Sequence, residues 1–289
     1  MTDAIETHVS SAPLSVSSAC RTLDIARSTF YRYRGYDPFV DTNVELRDRV
    51  QKVALEWPSY GYRRITHELL RRGVDVGLKT VLRLMREDNL LCLRTQRFRI
   101  ATTDSDHGLP TYKNRAKDMV ITGCDQLWAA DITYIRLGAE FIYMAMVMDA
   151  YSRKIVGWSI SRRIDTRLAL DALEMALLTR PFKHGHLVHH SDRGSQYASF
   201  DYQKLLERHG IRCSMSRRGN CLDNAPVESF FGTLKNEHVH HCDFESVAEA
   251  RAAVIEYIEN FYNSRRRHSA LGYRTPMEYE AETRRTAAA

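Results

Sequence analysis

The chain has 289 residues, 44% of them hydrophobic. That leaves room for one large domain or two to three small ones with a sizeable core, at about 100 to 200 residues per domain. No apolar run approaches the roughly 20 residues of a membrane span, which excludes a membrane-spanning helix and predicts a soluble protein without a membrane partner. The formal net charge of +6 favours a polyanionic partner, and residues 21–118 concentrate it, with 20 Lys and Arg against 13 Asp and Glu.

The six cysteines are scattered without a C-x-x-C pair, in a chain whose start is not signal-like. This pattern indicates reduced thiols and a cytoplasmic protein. One alternative is a zinc site built from Cys242 with His238, His240 and His241. The paired ligand spacing of structural zinc sites is missing there, so surface histidines near a helix end are the favoured interpretation.

The amino-terminal part begins with residues 1–13, which are polar and Ser-rich and are predicted to be flexible. Two short helices within residues 14–36 then predict a helix-turn-helix. Its second helix is basic, and this favours DNA contact over a solvated charged hairpin. The candidate contacts are Arg27, Arg32 and Arg34.

A second helical DNA-binding module is predicted over residues 43–99, where amphipathic helices are interrupted at Pro58 and at 73–77. The module ends in Leu93–Arg99, whose interleaved aromatic and arginine residues suit contact with nucleic acid, although a basic linker is the alternative. Residues 100–120 are polar, contain Gly and Pro, and predict a linker. The candidate DNA contacts in this module are Arg63, Arg64, Arg97 and Arg99.

Beyond the linker the hydrophobic period changes from about 3.6 to about 2, as expected where helices give way to strands. Three strands joined by short turns predict an antiparallel meander, and strands and helices follow in the order βββαβαβ. Crossover helices should place the fourth and fifth strands parallel to the first. The sequence thus predicts an α/β fold with a ribonuclease-H-like mixed sheet over residues 121–240. Small all-α helix-turn-helix modules precede it, and a carboxyl-terminal helix and basic tail follow over residues 241–289.

Three acidic residues stand where chemistry is expected. Asp131 lies mid-strand, Asp192 at the carboxyl end of a strand, and Glu228 in the first turns of a helix, with 60 and 35 residues between them. Strand carboxyl ends face the ligand crevice in open α/β sheets, and a carboxylate in the apolar surroundings of Asp131 is costly unless it is paired or metal-bound. Asp149 is the one competing acid, and its context favours a turn.

Together these carboxylates would repel each other, because two unit charges about 4 Å apart interact by about 4 kcal/mol at an effective dielectric of about 20. Divalent cations remove that repulsion, and oxygen-only ligands select hard ions such as Mg²⁺, with Mn²⁺ as a substitute. Two ions about 3.5 to 4 Å apart would support in-line phosphoryl displacement by water or a 3′-hydroxyl. A single Asp or Glu is usually a surface group, so the prediction depends on the combination.

Further basic residues flank the acids in sequence. Lys235 lies seven residues after Glu228 on the same helix face and suits a phosphate contact, with a solvated lysine as the alternative. The remaining candidate DNA contacts are Arg217 and Arg218 in a glycine-bearing loop, and Arg265 and Arg266 after the last predicted helix, Ser246–Asn263.

Three linked motifs resemble the catalytic core of DDE transposases: Trp128-Ala-Ala-Asp131-Ile-Thr-Tyr134, His190-Ser-Asp192-Arg-Gly-Ser-Gln-Tyr197 and Asn224-Ala-Pro-Val-Glu228-Ser-Phe-Phe-Gly-Thr-Leu-Lys235. More narrowly, the chain resembles the second-reading-frame product (OrfB) of the bacterial insertion-sequence-three family, a relative of retroviral integrases. The likeness extends to Tyr60–Ile65 upstream and Tyr262–Gly272 downstream, so it covers nearly the whole chain after about residue 14.

The resemblance implies an integrase catalytic core that binds two Mg²⁺ through Asp131, Asp192 and Glu228, nicks element ends and joins the 3′-hydroxyl to target DNA. It also implies terminal repeats and target DNA as substrates, an upstream-frame (OrfA) partner or fusion, a homo-oligomer on DNA, and a place at the bacterial nucleoid. Two alternatives stay open. One is a non-catalytic DNA-binding regulator of transposition, and the other is a ribonuclease-H-like hydrolase of another nucleic acid.

Overall fold

The computed structural model of the protein describes residues 15–33, 43–90, 108–138, 140–216 and 225–288. Contacts divide the chain into two compact units, residues 1–52 and residues 53–289. In the described part of the chain, no helix combines the length and the apolar character needed to cross a membrane.

Residues 15–33 of the first unit form two short helices, α1 (Val16–Thr22) and α2 (Arg27–Tyr33), within the region predicted as a helix-turn-helix. The Ser15 side chain accepts a hydrogen bond from the Ser18 N–H and so caps α1. A small buried cluster holds the two helices together, formed by Ala19, Cys20 and Phe30.

The second predicted module consists of three helices, α3 (Val44–Glu56), α4 (Tyr62–Arg71) and α5 (Leu78–Glu87). Their bounds lie close to those expected from the breaks at Pro58 and at 73–77, because proline and glycine interrupt a helix.

A five-stranded sheet follows, in the order β3-β2-β1-β4-β5. Its strands are β1 (Leu127–Leu137), β2 (Glu140–Asp149), β3 (Ile155–Ser161), β4 (Val188–Ser191) and β5 (Arg212–Met215). The first three strands pair antiparallel, and β4 and β5 run parallel to β1. The crossovers contain α6 (Thr166–Thr179), the single turn α7 (Ser195–Ala198) and α8 (Phe200–Arg208). The predicted ribonuclease-H-like mixed sheet is thereby confirmed.

The alternation of side chains along β1 decides what packs on each face of the sheet. Trp128, Ala130 and Ile132 belong to the buried cluster that includes α6 and α8. Ala129 and Ile135 belong to the opposite cluster, which includes the helix α9 (Ala225–Glu237). Asp131 shares the parity of Ala129, so it lies on the face that α9 covers.

The carboxyl-terminal region differs from the expectation in two places. The predicted helix Ser246–Asn263 is α-helical only over α10 (Val247–Ile255) and continues as a π-helical segment, Glu256–Tyr262. The expected basic tail is instead a further helix, α11 (Pro276–Ala288). The last helix is joined to the core because its buried Glu280 pairs with the buried Arg180 after α6.

Candidate active site

Strand register brings two of the predicted acids together. The parallel pairing of β1 with β4 aligns Ala129 with His190. Asp131 lies two residues after Ala129, and Asp192 lies two residues after His190. Since neighbouring strands lie about 4.8 Å apart, these acids come level with each other although 60 residues separate them in sequence. Asp192 follows directly after β4, at the strand end where a ligand crevice is expected.

Asp131 is half-buried, and its Oδ1 accepts a hydrogen bond from the Ile132 N–H at 2.8 Å. Burial, and then the negative charges of Asp192 and Glu228, raise the pKa of Asp131 to about 8, while the charge of Lys235 acts in the opposite direction. The three carboxylates and the lysine therefore share one electrostatic neighbourhood.

Gly194, two residues after Asp192, lies close to the carboxylate of Asp192. The Gly194 N–H donates to Asp192 Oδ1 at 2.9 Å. A Cβ at Gly194 would lie 3.0 Å from that oxygen and 2.9 Å from Gln196 Oε1, so a side chain here would move the end of Gln196 and crowd the carboxylate of Asp192.

The helix α9 carries the third acid and the lysine. Pro226 stands in its first turn, as predicted. Apolar residues of α9 pack on the sheet, namely Val227, Phe230, Phe231 and Leu234, whereas Glu228 is exposed.

Lys235 is half-buried, with its Nζ 3.6 Å from the centre of the Tyr134 ring. Burial lowers the pKa of Lys235 to about 8 against the opposing charge of Asp131. These contacts contradict the alternative of a freely solvated lysine.

Among the residues that the structure describes, no three His, Cys, Asp or Glu side chains form a group that could hold a metal ion. This applies to Asp131, Asp192 and Glu228 as they stand, and also to the zinc alternative at 238–242. The donor chemistry of the three acids nevertheless fits a hard cation, because they offer only oxygen ligands and carry mutually repelling charges. A bound cation would relieve that repulsion and favour a closer arrangement.

One buried residue near the acids had no predicted role. Burial, and then the neighbouring Tyr202, Asp131 and Asp192, raise the pKa of Tyr197 well above its usual range. Its hydroxyl is buried and has no hydrogen-bond partner in the described part of the protein. The only sequence signal was its place at the end of the second motif.

Asp149, the competing acid, is the last residue of β2, before the turn to β3, and is fully buried. It accepts hydrogen bonds from the N–H and hydroxyl of Ser152 at 2.7 and 2.8 Å, and from the Asp125 N–H at 2.7 Å. These bonds satisfy both oxygens of the Asp149 carboxylate, as expected for an acid that stabilises a turn.

The predicted DNA-contacting arginines fall into several groups. Arg27, Arg63 and Arg265 are exposed, whereas Arg64 is only 27% exposed and lies 3.5 Å from the Glu237 carboxylate. Arg32 lies on α2, and the residues outside the described part of the chain are Arg34, Arg97, Arg99, Arg217 and Arg218.

Arg266, one of the predicted DNA contacts, is buried rather than exposed. Its side chain is 4% exposed, and its guanidinium donates two hydrogen bonds to Glu237. Those bonds occupy its Nε and one Nη2 donor, so its contact with DNA stays a prediction.

Family models match most of the described core. A model for the integrase core domain matches residues 122–221, a second with the same description matches residues 209–276, and a model for an HTH-like domain matches residues 42–98. The integrase match thus extends past the core boundary expected at residue 240.

Two relatives align with nearly the whole chain. The insertion element IS600 uncharacterized 31 kDa protein of Shigella sonnei is 39% identical over 274 residues, 93% of this chain and 100% of that protein. The transposase InsF for insertion sequence IS3A of Escherichia coli is 40% identical over 282 residues, 96% of each chain. Among solved structures, the HTLV-2 integrase catalytic core domain in complex with magnesium is 16% identical, with a TM-score of 0.42, and covers 55% of this chain and 97% of that one. Because the relatives are similar along almost their entire length, this chain belongs to the IS3 family of transposases and carries an integrase catalytic core.

Proposed function

We propose that this transposase cuts the ends of an insertion sequence and joins the released 3′-hydroxyl to target DNA, with Asp131, Asp192 and Glu228 as its catalytic, metal-binding residues. One observation carries the proposal. Burial and the charges of Asp192 and Glu228 raise the pKa of Asp131 to about 8, which indicates that the three acids act on each other. A site that concentrates negative charge in this way is suited to hold divalent cations against a scissile phosphate.

The three acids would hold two Mg²⁺ ions, or Mn²⁺ in their place, which when bound activate the attacking hydroxyl and stabilise the leaving oxygen. Backbone donors support this role, because Ile132 N–H fixes one oxygen of Asp131 and Gly194 N–H fixes one oxygen of Asp192. Glu228 is exposed on α9 and can adjust its rotamer to complete the set.

Lys235 would contact a phosphate of the DNA next to the acids. Its ammonium group is held over the Tyr134 ring, within reach of the charge on Asp131. A pKa of about 8 leaves it mostly charged at neutral pH, as contact with a phosphate requires.

The DNA partners would be the terminal repeats and the target DNA. The match to an HTH-like domain at residues 42–98 and the excess of basic residues over 21–118 support DNA binding by the helical regions. The remaining exposed candidates for these contacts are Arg27, Arg63 and Arg265. We infer that the active species also includes the upstream-frame (OrfA) protein, as partner or fusion, and further copies of this chain on DNA. Such an enzyme would work in the cytoplasm, at the bacterial nucleoid that holds its substrate.

Metal-dependent joining tests the proposal. The purified chain, with and without the upstream-frame protein, is incubated with labelled terminal-repeat oligonucleotides and target DNA in Mg²⁺ or Mn²⁺. We expect joined products, and a loss of about 100-fold or more in Asp192→Asn, because a ligand of the catalytic metals is removed. The matched control is Asp118→Asn at an exposed position outside the site, which should join at the wild-type rate.

Each other outcome points to a different function. Wild-type joining by Asp192→Asn would contradict the catalytic assignment. Cutting without joining would indicate a hydrolase. DNA binding with no metal-dependent chemistry, even with the upstream-frame protein, would indicate a regulator.

A further inference from the structure

A small cavity lies beside α9, on the helix that carries Glu228. It has a volume of about 110 Å³, which is room for a few waters of roughly 30 Å³ each, or for one phosphate group. It lies between α4, the turn that joins β2 to β3, α9 and the segment after the π-helical turns. The lining residues that matter here are Arg64, Arg153, Ser229, Arg266 and His268.

The cavity wall has an excess of positive charge. It contains three guanidinium groups, those of Arg64, Arg153 and Arg266. Glu237 is the carboxylate that pairs with two of them, at 3.5 Å from Arg64 and 2.6 Å from Arg266. Within the described residues, Arg153 makes no ion pair with a carboxylate. One negative charge therefore faces three positive charges.

The charges of the three guanidinium groups also shift the pKa values of the same two neighbours, His268 and Tyr262, which indicates that the three groups lie close together. Burial, and then the charges of Arg266, Arg64 and Arg153, lower the pKa of His268 to about 2. The same three arginines oppose the effect of burial on the pKa of Tyr262. A positive potential of this kind favours an anion.

Donors are present as well as charge. Arg153 and the Ser229 hydroxyl line the cavity, and guanidinium and hydroxyl donors match the several acceptor oxygens of a phosphate group.

We propose that this cavity binds one phosphate group of the DNA backbone, beside the strand that the three acids would cut. The assignment to DNA rests on the proposed function, because Ser229 follows Glu228 directly on α9 and bound DNA would then pass the cavity. The cavity is too small for a nucleoside, and a backbone phosphate is the anion that DNA presents most densely. A phosphate here would contact both α4 of the HTH-like match and the integrase core.

Substitution of single phosphates tests this inference. Binding of terminal-repeat duplexes is measured in EDTA, with one backbone phosphate at a time replaced by a neutral methylphosphonate. We expect one position at which the replacement weakens wild-type binding about tenfold. Arg153→Gln should weaken binding to the unmodified duplex by about the same factor. Its binding should no longer depend on the methylphosphonate at that position, and the slope of log K against log salt should become less negative by about 0.9.

Matched variants separate this contact from a general loss of charge. Arg208→Gln removes an exposed arginine from the end of α8, outside the cavity, and should keep the wild-type sensitivity to that one position. Arg153→Lys should retain part of the binding because it keeps the charge. Ser229→Ala is a second cavity variant if Arg153→Gln fails to fold, and it should reduce the effect at the same position.

Two results would overturn the assignment. One is equal sensitivity to the methylphosphonate in the wild type and Arg153→Gln. The other is stabilisation of the wild type by inorganic phosphate at constant ionic strength without a sensitive position in the duplex, which would assign the cavity to free phosphate. The binding assay contains no metal-dependent chemistry, so it measures this contact whether or not the protein joins DNA. Failure of joining and failure of this contact are therefore distinguishable.

Discussion

The guanidinium of Arg266 donates two hydrogen bonds to the carboxylate of Glu237, 2.8 Å from Nε and 2.6 Å from Nη2, and the two side chains are 4% and 7% exposed. Glu237 also accepts from the Tyr257 hydroxyl at 2.9 Å. This pair joins the last residue of α9 to the segment after the π-helical turns. The end of the helix that carries Glu228 is thereby fixed to the carboxyl-terminal region.

Arg266→Gln should destabilise the protein by about 3 kcal/mol, because it leaves a buried carboxylate with too little positive charge beside it. The free energy of unfolding in urea measures the effect. Arg265→Gln is the adjacent, exposed control and should change stability by less than about 0.5 kcal/mol. An Arg266→Gln variant as stable as the wild type would contradict this role of the ion pair.

Asp131→Asn should stabilise the metal-free protein while it abolishes joining. Burial and the charges of Asp192 and Glu228 oppose the ionisation of Asp131, a cost that the neutral amide does not have, and the amide keeps an oxygen for the Ile132 N–H. We expect the free energy of unfolding in EDTA to rise by about 1 to 3 kcal/mol. Mg²⁺ should raise the Tm of the wild type more than that of the variant. A less stable variant would mean that the charge itself contributes to folding.

Gly157→Ala should destabilise the core by about 3 kcal/mol or more. A Cβ at this position of β3 would lie 2.1 Å from the Ala172 carbonyl oxygen and 2.8 Å from the Ala176 nitrogen, so α6 would have to move. Gly232→Ala is the control within α9, where a Cβ meets nothing within 4 Å. It should stabilise by about 0.5 to 1 kcal/mol, since alanine favours a helix interior. Thermal unfolding of both variants checks the contrast, and equal effects would contradict it.

Acid should destabilise the protein through His189. Burial, and then the neighbouring His190, lower the pKa of His189 to about 3, against about 6.5 in an unfolded chain. Below pH 6.5 the unfolded state therefore takes up a proton that the folded state does not. The stability due to the neutral imidazole is complete above that pH and is lost progressively as the pH falls toward 3.

This proton uptake lowers the free energy of unfolding at pH 5 by about 2 kcal/mol relative to its value above pH 6.5. His189→Gln keeps a polar partner for the Tyr202 hydroxyl, which lies 2.9 Å from Nε2. Its free energy of unfolding should fall less than that of the wild type between pH 7.5 and pH 5, by about that amount. Parallel curves for the two proteins would mean that His189 takes up its proton in the folded state.

Local pattern was sufficient for most elements of the core. The predicted order βββαβαβ includes the strand Glu140–Asp149 and the helix Thr166–Thr179 that the structure contains, because their periodicity is strong and a turn stands at each end. The π-helical turns at Glu256–Tyr262 carry no such signal. The final helix begins with a capping box, in which the Thr275 N–H donates to the Glu278 carboxylate and the Glu278 N–H donates to the Thr275 hydroxyl, a local signal that the sequence analysis did not use. Its attachment to the core uses a contact between Glu280 and Arg180, 100 residues apart, which no local pattern contains.

The sequence by itself determined the family, the order of strands and helices, and the three acids, since motif spacing and hydrophobic period are local properties of the chain. Only the tertiary structure decided which basic residues are accessible. Arg265 and Arg266 are neighbours in one basic motif, yet one is exposed and the other is buried against Glu237. Burial and ion pairing depend on partners that folding brings from distant parts of the chain. The cavity of Arg64, Arg153 and Arg266 exists for the same reason.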